Sequence, residues 1–259
     1  MEFPQHIILA FILTILAGLS TGIGSAIAYF IKKPKMIYLS FSLGFSAGVM
    51  IYVSFVELLP RAILTIGNIT SIIAFFIGIV FIASIDMVIP EPQNPHHYKD
   101  MTNISDVNEK KLILRTGLFT AFAIAVHNFP EGLTTFGTTL SDERLGIAIA
   151  LAIAIHNIPE GISVSVPLFY ATGDRKKAFQ YSFLAGLAEP VGAVIGFLVI
   201  LPFISSTVLI ALLAFVAGIM VYISIDELLP MAHRYGYSHT VILGFILGML
   251  LMAVSLIIL

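Results

Sequence analysis

The sequence predicts an all-α membrane protein of eight transmembrane helices in a 3+2+3 arrangement, with helices 1–3 repeated in inverted orientation as helices 6–8. Three observations lead there. Hydrophobic residues make up 58% of the 259 and charged residues only 11%, with a mean hydropathy of +1.02, far from the composition of a water-soluble domain. The apolar residues fall into long runs, and a bilayer core of roughly 30 Å takes about 20 of them per crossing. Finally, one helical segment recurs five helices later.

Apolar runs broken by charged, Pro-bearing or Gly-bearing turns place helices at about 6–31, 36–60, 65–90, 112–136, 144–170, 177–202, 206–232 and 238–259. The first run lacks a positively charged leader and is too long for a signal-peptide core, so it reads as a span. The longest connection, about 91–111, holds Pro92, Pro95, His96, His97 and much of the local charge. It reads as an exposed cytoplasmic loop within a single polytopic transmembrane domain spanning 1–259.

Basic residues orient the bundle, because Lys and Arg are retained on the cytoplasmic side. Loops of one parity hold Lys32, Lys33, Lys35, Lys99, Lys110, Lys111, Arg115, Arg175, Lys176, Lys177 and Arg234, whereas the other parity holds only Arg61 and Arg144. Both termini are therefore expected outside the cytoplasm, in a multi-pass protein of the cell (inner) membrane. The net charge of -2 and the scattered basic residues exclude a nucleic-acid face. With no Cys, thiolate ligands and disulfides are excluded as well.

The recurring segment is AGVMIYVSFVELLP at 47–60, which returns as AGIMVYISIDELLP at 217–230 with nine of 14 positions identical. Helices 2 and 7 lie five spans apart and cross in opposite directions. Inverted repeats are a recurrent plan of secondary transporters, whose substrate site lies near the midplane. A second repeat occupies that middle: AIAVHNFPEGL at 123–133 and AIAIHNIPEGI at 152–162 agree at eight of 11 positions, on helices 4 and 5.

This central pair carries the chemistry. His127 and Glu131 are four residues apart, as are His156 and Glu160, so each imidazole and carboxylate share a helix face and each pair has the spacing to hold one ion. Pro130 and Pro159 free the carbonyls of Val126 and Ile155. Gly132 and Gly161 permit close helix approach. Carboxylates deep in apolar segments cost several kcal/mol unless they line a polar pathway. Helix 6 adds Glu189, again followed by a proline. Imidazole, carboxylate and the amide oxygens of Asn128 and Asn157 suit Zn(II), Fe(II), Mn(II) and their neighbours better than Cu(I), Mg or Ca.

The paired HNFPEG and HNIPEG, the eight spans and the helix 2 and helix 7 repeat resemble the ZIP family of metal transporters over nearly the whole chain. The resemblance implies a one- or two-metal transport site of His127, Asn128, Glu131, His156, Asn157, Glu160 and Glu189. It also implies uptake of zinc, with iron, manganese, cobalt or cadmium taken by some members. The metals are cargo, no cofactor is expected, and the partners are divalent metal ions and the lipid bilayer. Homodimerisation is left open by the sequence. Many relatives carry a histidine-rich loop between helices 3 and 4, where this chain offers only His96 and His97.

Other polar residues weigh less. Glu57 and Glu227 occupy matching repeat positions near helix ends, where they read as solvated carboxylates or as gates at opposite mouths. Asp226 faces Val56 in the repeat and reads as solvated, His233 sits at head-group level, and His6 and His239 lie near span ends. Met50 and Met220 read as packing. A rival class is an intramembrane metalloenzyme, but that would favour HExxH or another asymmetric ligand set. A passive channel is not separable from a carrier by sequence.

Overall fold

The computed structural model describes residues 6–30, 36–88, 106–200, 205–234 and 236–258, and every regular element in them is helical. Helix α1 is Ile7–Phe30. Helix α2 comprises Met36–Val53, a π-helical turn Ser54–Leu58 and Leu59–Ile66, and α3 is Asn68–Val88. The central pair are α4, Asp106–Ser141, and α5, Glu143–Thr172. Helix α6 comprises Arg175–Gly186, Ala188–Ile195 and a π-helical turn Gly196–Ile200. Helix α7 comprises Ser206–Ile223, a π-helical turn Ser224–Leu228 and Leu229–His233, and α8 is Ser238–Ile258. Seven of these eight are long and apolar enough to cross a membrane.

The central pair departs from the expected boundaries. Helix α4 runs 36 residues, about 54 Å at 1.5 Å per residue, well beyond a bilayer core. Its first turns are the polar DVNEKK, so the last part of the expected 91–111 loop is helical. His96 and His97 lie outside the described residues. Asp142 alone joins α4 to α5: its side chain accepts the Leu145 amide at 3.1 Å as an N-cap. Gly173, at φ 67°, closes α5 in the left-handed conformation. Asp174 then caps α6 through the amides of Lys176 and Lys177.

Glu57 and Glu227 do not end their helices. Each lies in a π-helical turn, and helix continues to Ile66 and His233 respectively. The turns stand 170 residues apart, and in each the amide after the turn bonds to its first residue, Leu59 to Ser54 and Leu229 to Ser224. Each turn stands just before a proline, Pro60 or Pro230, which has no amide hydrogen for the carbonyl four residues back.

Two sets of helices pack differently. Helices α2, α3, α7 and α8 pair as α2 with α8 and α3 with α7, whereas α1, α4, α5 and α6 pack against one another on several faces. Helices α2 and α5, and α4 and α7, bring the sets together. The main apolar core lies largely in the first set, around Leu43, Met50, Leu213, Ile219 and Met220, so both methionines do pack in the core. Large apolar side chains such as Phe76, Val80, Ile246 and Leu250 face outward, a surface suited to lipid rather than water.

Candidate metal centre

The seven candidate side chains lie together in the middle of the bundle, and each is 0% exposed. Helices α4 and α5 continue unbroken through Pro130 and Pro159, so the i, i+4 spacing of each His and Glu is kept. Gly132 and Gly161 set the depth of helix contact. A Cβ on Gly132 would lie 2.0 Å from the Glu189 carbonyl oxygen, and one on Gly161 2.0 Å from that of Thr21. Any larger residue there would push α6 or α1 away from the site.

Pairing runs across the two helices rather than along each one. His127 Nε2 stands 3.1 Å from Glu160 Oε2, and His156 Nε2 stands 3.4 Å from Glu131 Oε2. The hydrogen bonds thus link the His and Glu of one helix to their counterparts on the other. Among the described residues no three His, Asp or Glu converge as ligands on one point. Each pair instead holds a position between imidazole and carboxylate that a proton or a cation can share.

The asparagines are fixed by backbone carbonyls. Asn128 donates through Nδ2 to the Ala185 carbonyl at 3.3 Å. Asn157 donates to the Ala17 carbonyl at 3.0 Å and to Glu189 Oε1. Because only the NH₂ end can donate to a carbonyl, these bonds leave both Oδ1 atoms as acceptors. All seven residues keep one polar atom without a hydrogen-bond partner among the described residues. These atoms are His127 Nδ1, Asn128 Oδ1, Glu131 Oε1, His156 Nδ1, Asn157 Oδ1, Glu160 Oε1 and Glu189 Oε2. Each such buried group costs about 1–3 kcal/mol. Every one is an acceptor or can be one, which is the donor set a dication requires.

Glu227 is buried at 8% exposure, contrary to the solvated expectation, and lies within electrostatic range of His127 and Glu160. Near it, Tyr222 bonds Asp86 at 3.3 Å, and Asp226 is half-buried beside Tyr222. Glu57 is different: its side chain is 24% exposed and 3.6 Å from Arg61, which also meets Asp142 at 2.8 Å. His6 meets Glu143 at 3.3 Å, so the N-terminal end, the α2–α3 region and the α4–α5 junction share one face. His233 and His239 are exposed, well outside the site.

Sequence reasoning singled out neither of two further buried hydroxyls. Ser46 of α2 is fully buried, with its hydroxyl 3.9 Å from Met50 Sδ and Glu160 within electrostatic range, and Thr21 of α1 is fully buried with its hydroxyl unpartnered among the described residues. Neither carries a sequence signal, since a lone Ser or Thr in an apolar helix more often bonds its own backbone.

A family sequence model described as ZIP Zinc transporter matches residues 90–256, the stretch that contains both hexapeptides. Zinc transporter ZupT of Streptococcus mutans serotype c is 56% identical over 260 residues, covering 97% of this chain and 98% of that protein. The ZupT of Clostridium perfringens is 51% identical, over 97% of this chain and 96% of its own length. That of Chlorobium phaeovibrioides is 54% identical, over 96% and 97%. Taken with the seven membrane-crossing helices, these matches make this a multi-pass membrane protein, and the chain belongs to the ZIP zinc transporter family.

Proposed function

We propose that this protein carries zinc into the cytoplasm, and accepts iron, manganese, cobalt or cadmium less selectively, through the layer of His127, Asn128, Glu131, His156, Asn157, Glu160 and Glu189. The observation that carries the reading is the set of seven fully buried side chains, each with a polar atom unsatisfied among the described residues. The similar proteins are named zinc transporters, and the family is one of transporters rather than enzymes. That removes the metalloenzyme alternative.

Charge sets how the layer works. Three carboxylates carry a formal -3, which one dication reduces to -1 and two convert to +1, so the layer holds one ion firmly and a second only weakly. A weakly held second ion favours onward movement of the first. Neutral imidazole and amide donors keep the grip below that of an all-carboxylate cage.

Orientation and gating extend this proposal. The basic-residue bias places both termini outside and makes the face of His6, Glu57 and Glu143 the outer one. The 3+2+3 plan then sets Glu57 and Glu227 near opposite mouths, Glu57 attracting ions and Glu227 passing them inward. The matching π-helical turns at Ser54–Leu58 and Ser224–Leu228 support that inverted plan. The test is zinc flux into sealed proteoliposomes: saturable uptake is expected, and no flux above protein-free vesicles would overturn the proposal.

A further inference from the structure

Helices α1 and α6 meet the central pair through matched contacts. Asn157 donates to the Ala17 carbonyl and Asn128 to the Ala185 carbonyl. Gly161 abuts the Thr21 carbonyl and Gly132 the Glu189 carbonyl. A Cβ on Gly18 would lie 3.4 Å from Glu189 Cβ, and one on Gly186 2.8 Å from Thr21 Cβ. The series Ala17, Gly18, Thr21 and Ala185, Gly186, Glu189 has equal spacing, and each of these backbone contacts made by one member is repeated by its counterpart. In this frame Thr21 stands where Glu189 stands, on the opposite helix.

The Thr21 side chain also lacks an ordinary structural role. Thr14 and Ser25 of the same helix bond the carbonyls four residues back, at 2.8 Å each, whereas the Thr21 hydroxyl is fully buried with no partner among the described residues. Glu189 reaches Asn157; the counterpart of Asn157 is Asn128, whose Oδ1 is likewise unpartnered among the described residues.

We propose that Thr21 is a further metal-site residue, supplying a neutral hydroxyl oxygen on the Asn128 side where Glu189 supplies a carboxylate on the Asn157 side. This rests on the metal-layer reading above and adds a specificity element to it. A carboxylate at position 21 would raise the layer to a formal -4, which two dications neutralise and which would hold both. A hydroxyl keeps it at -3, so the second ion stays releasable. The two halves of the site are therefore unequal by one charge.

Three variants test it in zinc-uptake vesicles and by metal analysis of the purified protein. Thr21→Val keeps the shape and removes the oxygen; the half-saturating zinc concentration should rise roughly three- to tenfold, the range for one neutral contact. Thr21→Ser keeps the oxygen and should match the unaltered chain. Thr21→Glu should retain two zinc ions per chain through chromatography at low free zinc, with slowed saturated uptake. Unaltered zinc binding and uptake in both Thr21→Val and Thr21→Glu, beside a loss in Glu189→Gln, would overturn the Thr21 assignment alone. If Glu189→Gln were also unaltered, the metal-layer reading would fall with it. An equal loss in Thr21→Ser and Thr21→Val would assign the residue to packing and overturn the proposal as well.

Discussion

The set α2, α3, α7 and α8 and the set α1, α4, α5 and α6 solve the same packing problem by different means. In the first, large apolar side chains such as Leu43, Met50, Leu213 and Met220 fill the interface, with Glu57, Asp226 and Glu227 in its π-helical turns and Asp86 bonded to Tyr222. Glycines bring backbones into contact in both sets, Gly48 against the Phe245 carbonyl and Gly78 against that of Phe215 in the first as Gly132 and Gly161 do in the second, but in the second the space between helices is given to His, Asn and Glu. Lipid tails are as apolar as Leu, so helix association in a membrane depends on close fit and on polar bonds between helices. The first set relies on fit. The second relies on polar groups that remain partly unsatisfied, and so it leaves room for a cation.

The strongest break in this comparison is at the crossed pairs. His127→Ala, Glu131→Ala and Glu160→Ala should each reduce zinc uptake to the level of protein-free vesicles, with the amount inserted in the membrane unchanged. Normal uptake in all three would show the layer is not the transport site.

Next in size is the backbone contact. Gly161→Val places side-chain atoms against the Thr21 carbonyl and should cost more than about 4 kcal/mol, as severe steric changes do. The monodisperse peak in size-exclusion chromatography should be lost. Met220→Leu in the other set conserves volume and should cost less than about 1.5 kcal/mol. A Gly161→Val protein with unaltered thermal stability would contradict the close approach.

The mouths should show smaller, separable effects. Glu227→Gln should lower the saturated rate, because Glu227 is buried within range of His127. Glu57→Gln should raise the half-saturating zinc concentration at low ionic strength only, the difference fading near physiological salt, where the Debye length is about 8 Å. Cys at position 57 should react with an impermeant reagent from outside and Cys at 227 only from the cytoplasm. Labelling of both from one side would refute the orientation and the inverted plan together.

The smallest effect belongs to the outer ion pairs. Arg61→Gln removes contacts to Glu57 and Asp142 that are partly solvated. Its stability change should stay within about 1 kcal/mol, measured by thermal unfolding in detergent, and a larger loss would mark Arg61 as a structural lock.

Sequence alone determined the helical class, the family and the choice of candidate ligands, and seven of the eight expected spans are long and apolar enough to cross a membrane. Apolar run length is dictated by bilayer thickness, and a doubled HNxPEG at helical spacing is hard to reach by composition. Tertiary structure decided the pairing partners. His127 and Glu131 share a helix face by periodicity, yet His127 meets Glu160, because α4 and α5 pack against each other and present each imidazole to the facing carboxylate. It also decided that Glu57 and Glu227 lie in π-helical turns inside their helices, and that α2 continues past its expected end at Pro60 to Ile66. The Thr21 hydroxyl and the Ala17 and Ala185 carbonyls could be found only in three dimensions. Their role comes from which helix they face, and an apolar helix records that nowhere in its own sequence.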